Sequence, residues 1–347
     1  MYSEGDLQDA VTAGVLSPQA AQALRDHVAQ LRASPVVDEE SFRLLTGFND
    51  IFVAIAGIIL LVAVGWLGNS VRLGAAEHHP SFMSGALVAA VSWGLAEYFT
   101  GQRRMALPSI LLLAGFVGGV AFALGALAAQ VFPDVGDRAS SLIISGVAAV
   151  SALAAWMHWR RFMVPITVAA GAAAAAGVVG GLVLAAFPGD IRLAYLLLLA
   201  GGLAIFALAM RWDMSDRTRT TRRADVAFWL HLTAAPMIAH SLFNLLGVFR
   251  GDDISIGKAV VVILLYIAFG LVGLAIDRRA LLVSSLAYVL FALYALFKQA
   301  GAVELSAAFT ALVIGSSLLL LSALWHNARI LVVGTLPPSL TNRLPYA

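Results

Sequence analysis

Residues 158–187 read HWRRFMVPITVAAGAAAAAGVVGGLVLAAF. An arginine pair is followed by a run, 163–187, without one charged side chain. A helix over those residues is about 37 Å long at 1.5 Å per residue, enough to cross about 30 Å of hydrocarbon. In lipid the backbone must satisfy its own hydrogen bonds, and this run lacks the short alternation of membrane strands, so it reads as a membrane-spanning helix.

Nine more apolar runs share this character. The ten lie at about 50–68, 83–100, 107–129, 140–158, 163–187, 191–210, 226–248, 257–276, 280–297 and 304–324. The composition agrees, because 61% of the 347 residues are apolar and 12% charged, whereas soluble domains carry about 25% charge. The expected fold is all-α: a polytopic membrane helix bundle of about ten transmembrane helices. The expected domains are a cytoplasmic helical hairpin and linker over 1–46, a transmembrane region over 47–324, and a cytoplasmic tail over 325–347. A different span count would need a re-entrant segment in the C-terminal LVVGTLPPSL.

Orientation follows from the cations. With the N-terminus in the cytoplasm, that side receives 16 of the 22 lysines and arginines, as the positive-inside rule requires. The C-terminus then also lies inside. The start, MYSEGDLQDAV, lacks the basic and apolar regions of a cleaved signal, so the first apolar run is expected to direct insertion. No cysteine is present, which excludes disulfides and thiol chemistry. The arginines sit at the ends of apolar runs rather than in an aromatic-rich basic patch, so nucleic acid is excluded as a partner.

The arginine pairs recur at 103–104, 160–161, 222–223 and 278–279. The unit between pairs is two helices long, which points to parallel helical-hairpin repeats. Positive-inside sorting of equal-length helices would give a similar spacing. Glu97 stands close before the first pair and is expected to reach Arg103 or Arg104. Small residues four apart, Gly115/Gly119 and Gly177/Gly181, suit close helix packing. They mark the third and fifth spans as expected interior helices.

Catalytic motifs are absent: no H-E-x-x-H, no G-x-S-x-G and no phosphate-binding glycine loop occurs. No cofactor and no metal site is expected, Glu77, His78 and His79 reading as a solvent-facing loop. The basic loop RWDMSDRTRTTRR suits anionic lipid headgroups, as cytoplasmic loops generally do. One polar stretch remains, HLTAAPMIAHSLFN at 231–244. His231 and His240 are nine residues apart, hence half a turn out of phase on a helix, and cannot share one ligand. His231 then stands alone on the cytoplasmic half. His240 and Asn244 share a face, with Thr233 and Ser241 near it and Pro236 as a kink. That face is either a substrate-binding pocket open to the periplasm or a set of interhelical hydrogen bonds. Candidate partners for such bonds are Tyr266, Tyr288, Ser284, Ser285, Ser316 and Ser317.

Residues 1–46 carry their own pattern. Leu7, Ala10 and Val11 share a helix face. Gly14 breaks the helix, and Ser17-Pro18 caps a second one bearing Ala20, Leu24, Val28 and Leu31. Such a hairpin is too small to bury a core, so it needs the membrane domain, a second copy or a protein partner. Leu7, Val11, Gly14, Ser17, Ala20 and Leu24, followed by many spans, resemble a family of uncharacterised bacterial inner-membrane proteins whose N-terminal domain has no known function. The resemblance implies a multi-pass location in a bacterial cytoplasmic membrane and no activity. Structural, assembly or interaction work in that membrane is the expected function. A transporter or lipid-handling protein is the alternative, and an enzyme the least favoured class.

Overall fold

The computed structural model describes residues 4–24, 48–71, 80–217, 219, 221–248, 255–299, 305–341 and 344. Two compact units, Met1–Phe42 and Arg43–Ala347, divide the chain. In the first, α1 (Glu4–Thr12) ends before Gly14, whose φ of 73° lies in the left-handed region. Ser17 Oγ accepts from the amide of Ala20 at 3.1 Å and opens α2, helical over 18–24. Val28, Leu31 and the linker that follows them lie outside the described residues.

In the second unit the long helices are α3 (Phe48–Ser70), α4 (Phe82–Ala96), α5 (Ala106–Val131), α6 (Asp137–Phe162) and α7 (Ile166–Ala186). They continue as α8 (Ile191–Ser215), α9 (Arg222–Leu245), α10 (Ile256–Ile276), α11 (Ala280–Gln299) and α12 (Ser306–Ala323). A π-helical turn, Glu97–Gln102, prolongs α4. The ten are long and apolar enough to cross a membrane, and no strand occurs among the described residues. α13 (Trp325–Gly334) packs against α10, and α14 (Pro338–Thr341) is a single turn. At ten residues α13 is about 15 Å long, so LVVGTLPPSL adds no further span.

The densest packing is between sequence neighbours: α4 with α5, α6 with α7, α8 with α9, and α10 with α11. All four hairpins close on the arginine-rich side. Among the described residues, each turn holds one non-glycine residue in left-handed conformation: Arg104, Met163, Arg219 and Asp277, at φ 54–56°. These residues stand 59, 56 and 58 positions apart, a closer period than the arginine pairs themselves.

The glycine pairs act inside hairpins. A Cβ at Gly119 would lie 2.7 Å from the Gly85 carbonyl and 2.8 Å from the Ala89 amide of α4. A Cβ at Gly181 would lie 2.8 Å from the Ser141 carbonyl of α6. Gly115 likewise faces Ser92, and Gly177 faces Ala148. The expectation that the third and fifth spans form the interior is corrected: α9 is the central helix. Its membrane-spanning part is 56% buried, against 22% and 17% for α5 and α7. Leu230, Ala234, Ala235, Ile238, Ala239 and Phe243 of α9 form the main core with α7, α8, α10 and α11. Small alanines on one side let neighbouring backbones approach, while Phe243 stacks on Tyr288 at 4.3 Å.

Candidate functional site

The buried face of α8 runs Gly202, Ile205, Ala209, Asp213. That spacing continues the helix beyond the end expected at 210 and carries an acid into the protein. Asp213 is 1% exposed. Its Oδ2 lies 2.9 Å from Nε2 of His231, and its Oδ1 accepts from Nη2 of Arg278 at 2.8 Å. Arg278 also donates to the Ala224 carbonyl and lies 5.7 Å from the Phe228 ring centroid. His231 meets the Phe206 ring edge-to-face. The reading of His231 as a lone histidine is thereby corrected: α8 and α9 are antiparallel neighbours, and the longer α8 brings Asp213 level with it.

A second layer lies on the loops just outside the spans. Nη1 of Arg219 contacts Oδ2 of Asp277 at 2.6 Å, and its Nη2 donates to the Ile276 carbonyl at 3.0 Å. The guanidinium therefore closes the C-terminus of α10, where carbonyls lack partners. The other Asp277 oxygen accepts from the Trp325 indole at 2.8 Å, with Arg329 Nε at 3.8 Å. Arg279 stacks over Trp325 at 4.7 Å. Burial alone would raise the Asp277 carboxyl, but Trp325, Arg219 and Arg329 together hold it below the usual carboxylate range. Burial, and then the Arg278 cation, push Arg219 below its ordinary value, against the pull of Asp277 and Asp213.

Asp216 completes the cluster by accepting from the amide and hydroxyl of Thr221 at 2.9 and 2.6 Å. Asp213 and Asp277 face Arg278, Arg219 and Arg329 within one group of helix ends. Each of these two carboxylates stands against a guanidinium, as buried charges need. Chemically the cluster joins α8, α9, the α10–α11 turn and α13. It was missed because RWDMSDRTRTTRR reads as a charged loop. The signal available was Asp213 at helical spacing from Gly202, Ile205 and Ala209.

A smaller link joins the first two hairpins. Glu97 bonds Arg161 of α6 through both carboxylate oxygens, at 2.6 and 3.0 Å. This corrects the expected pairing with Arg103 or Arg104. The π-helical turn sets Glu97 toward α6, while Arg103 turns to the Tyr98 hydroxyl at 3.1 Å. Nearby, His158 is fully buried, with Nδ1 3.3 Å from the Thr167 hydroxyl and its ring among Trp93, Phe116 and Phe162.

The polar residues of 231–244 separate as helical phase requires. His240 is exposed on α9, and its Nδ1 lies 2.7 Å from the Tyr288 hydroxyl. Asn244 donates to the His240 carbonyl at 2.8 Å. Ser241 turns inward and bonds the Met237 and Ile238 carbonyls of its own helix. Thr233 is half-buried, and α9 continues unbroken through Pro236. Of the candidate partners, Tyr288 meets His240, whereas Ser285 and Ser316 bond within their own helices.

Cavities also occur among the described residues. A cleft of about 570 Å³ opens between α5, α6 and α7, walled by residues such as Gly125, Ala129, Ile144, Ala148, Ala174 and Gly177. A crevice of about 360 Å³ is lined by Leu208, Arg211, Trp212, Ser215 and Arg223. Among the described residues no group of three metal-ligating side chains forms. Glu77, His78 and His79 lie outside those residues. No family model, curated protein or solved structure matches the chain. Helix length, composition and packing themselves make it a polytopic all-α integral membrane protein.

Proposed function

We propose that the chain is a structural, assembly or interaction protein of a bacterial inner membrane. The observation that carries this reading is the Asp213–His231–Arg278 cluster with its outer layer, Arg219–Asp277–Trp325. Ion pairs buried at the meeting point of four elements fix those elements relative to one another, because separating them would leave charges unpaired at about 3–5 kcal/mol. A fixed frame suits a scaffold better than a carrier that rocks open. The apolar faces of α3 and α6, with Phe52, Ile59, Trp66, Ile144 and Leu153 exposed, offer surface to lipid or to a membrane neighbour. Residues 1–46 are the proposed contact for a protein partner or a second copy.

The test uses the absence of cysteine. Spin labels on Gln102→Cys and Arg222→Cys in nanodiscs report the spacing of two arginine-rich turns. A scaffold gives a single narrow distance distribution, and two interconverting populations would overturn the reading.

A second reading, lipid handling or transport, has two observations in its favour. The α5–α7 cleft is apolar and about 570 Å³, within the range of small-molecule sites. The exposed His240, with Asn244 and Tyr288, offers a polar contact on α9. Transport assays on His240→Ala and Asn244→Ala test it, and unchanged uptake removes both residues from the mechanism.

A further inference from the structure

The crevice at the arginine-rich end of α8 has a definite chemistry. Leu208, Arg211, Trp212 and Ser215 are spaced three, four and seven residues apart, so they share one face of α8. Arg223, in the first turn of α9, forms the opposite wall. The space between is about 360 Å³. Arg219 and Arg278, nearby, are each paired with an aspartate. Arg211 and Arg223 are exposed, and among the described residues neither side chain has an acidic partner. Two guanidiniums thus face one small crevice with their charge unmatched.

The walls choose the source of the anion. Leu208 lies about 10 Å deeper along α8 than Ser215, so the crevice grades from polar to apolar toward the membrane interior. Trp212 stands between, at the level where tryptophans meet lipid headgroups. An anion with a hydrocarbon tail fits that gradient, and a free inorganic anion uses only half of it. We infer that Arg211 and Arg223 bind the phosphodiester of an anionic phospholipid in the arginine-rich leaflet, with Trp212 and Leu208 against its glycerol and first methylenes. Basic pockets between helices on the cytoplasmic side are suited to this chemistry.

The experiment is native mass spectrometry of the full chain in detergent, titrated with phosphatidylglycerol or phosphatidylcholine. Wild type should retain phosphatidylglycerol in preference to phosphatidylcholine. Removing both cations in R211Q/R223Q should weaken that retention about thirtyfold, from the roughly tenfold or less expected per surface arginine. R211K/R223K should keep most of it, and an excess of inorganic phosphate should leave the lipid bound. The control R103Q/R104Q removes two cations from another turn of the same side. An equal loss in that control would show a diffuse field and no site. Displacement by phosphate would overturn the lipid assignment. A thermal melt of each variant reports folding, and a folded R211Q/R223Q that binds as wild type does ends the proposal.

Discussion

Asp213, two residues before the end of α8, is held 2.9 Å from His231, which lies nine residues into α9. With Arg278 on its other oxygen, the carboxylate is buried and has both oxygens in use. Asp213→Ala leaves Arg278 in a low-dielectric site without its counter-ion. The expected loss is about 3–5 kcal/mol, seen as a large fall in the thermal midpoint in detergent. The double variant Asp213→Leu/Arg278→Met should recover part of that loss, since it leaves no charge of the pair uncompensated, while His231 Nε2 still loses its partner. No recovery would mean that the pair contributes through shape and not charge.

The Glu97–Arg161 pair should behave in the opposite way. Its side chains are 36% and 59% exposed, and exposed pairs contribute little. Glu97→Gln is expected to leave the thermal midpoint unchanged within error. A clear drop would show that this exposed link contributes measurably to holding the first two hairpins together.

Glycine positions on α5 separate packing from lipid exposure. Gly119 lies against the α4 backbone, whereas nothing lies within 4 Å of a Cβ at Gly118. Gly119→Val should cost about 1–3 kcal/mol by overpacking, and Gly118→Val should be close to neutral. Equal tolerance of both, by thermal melt, would contradict the α4–α5 contact.

The Asp277 carboxyl is held below its usual range. A group depressed in the folded state contributes stability above its unfolded value, about 3.9. That contribution is lost as pH falls through the folded value. Thermal stability should therefore fall below about pH 4, and Asp277→Asn should flatten that part of the profile while lowering stability at neutral pH. An unchanged acid limb in the variant would assign the loss to other carboxylates.

Much of the architecture was legible in the chain. Apolar runs long enough to cross lipid define the ten spans, and the arginines sort the loops onto two sides. Phase alone separated His231 from His240: one is buried and the other exposed. What escaped was the pairing between elements. Asp213 was hidden because a helix end and a charged loop share a composition, so the boundary fell short of the acid. Arg278 could not be assigned to it, nor Trp325 to Asp277, since residues 65 and 48 positions apart become neighbours only through helix packing. Glu97 missed its partner because a π-helical turn leaves no hydrophobic period to read. The exposure of His240 follows from α9 packing around the opposite face, which sequence period alone places without saying which side is covered.

Four left-handed residues, Arg104, Met163, Arg219 and Asp277, close four hairpins on one side. Each hairpin therefore enters and leaves the membrane from the same surface. Such a chain can grow or shrink by whole hairpins, since adding or deleting one leaves every later loop in its original compartment. Losing a single helix before α8 would instead turn all that follows inside out, and would carry Asp213, Arg219 and Asp277 to the side of the membrane that has the fewest positive charges.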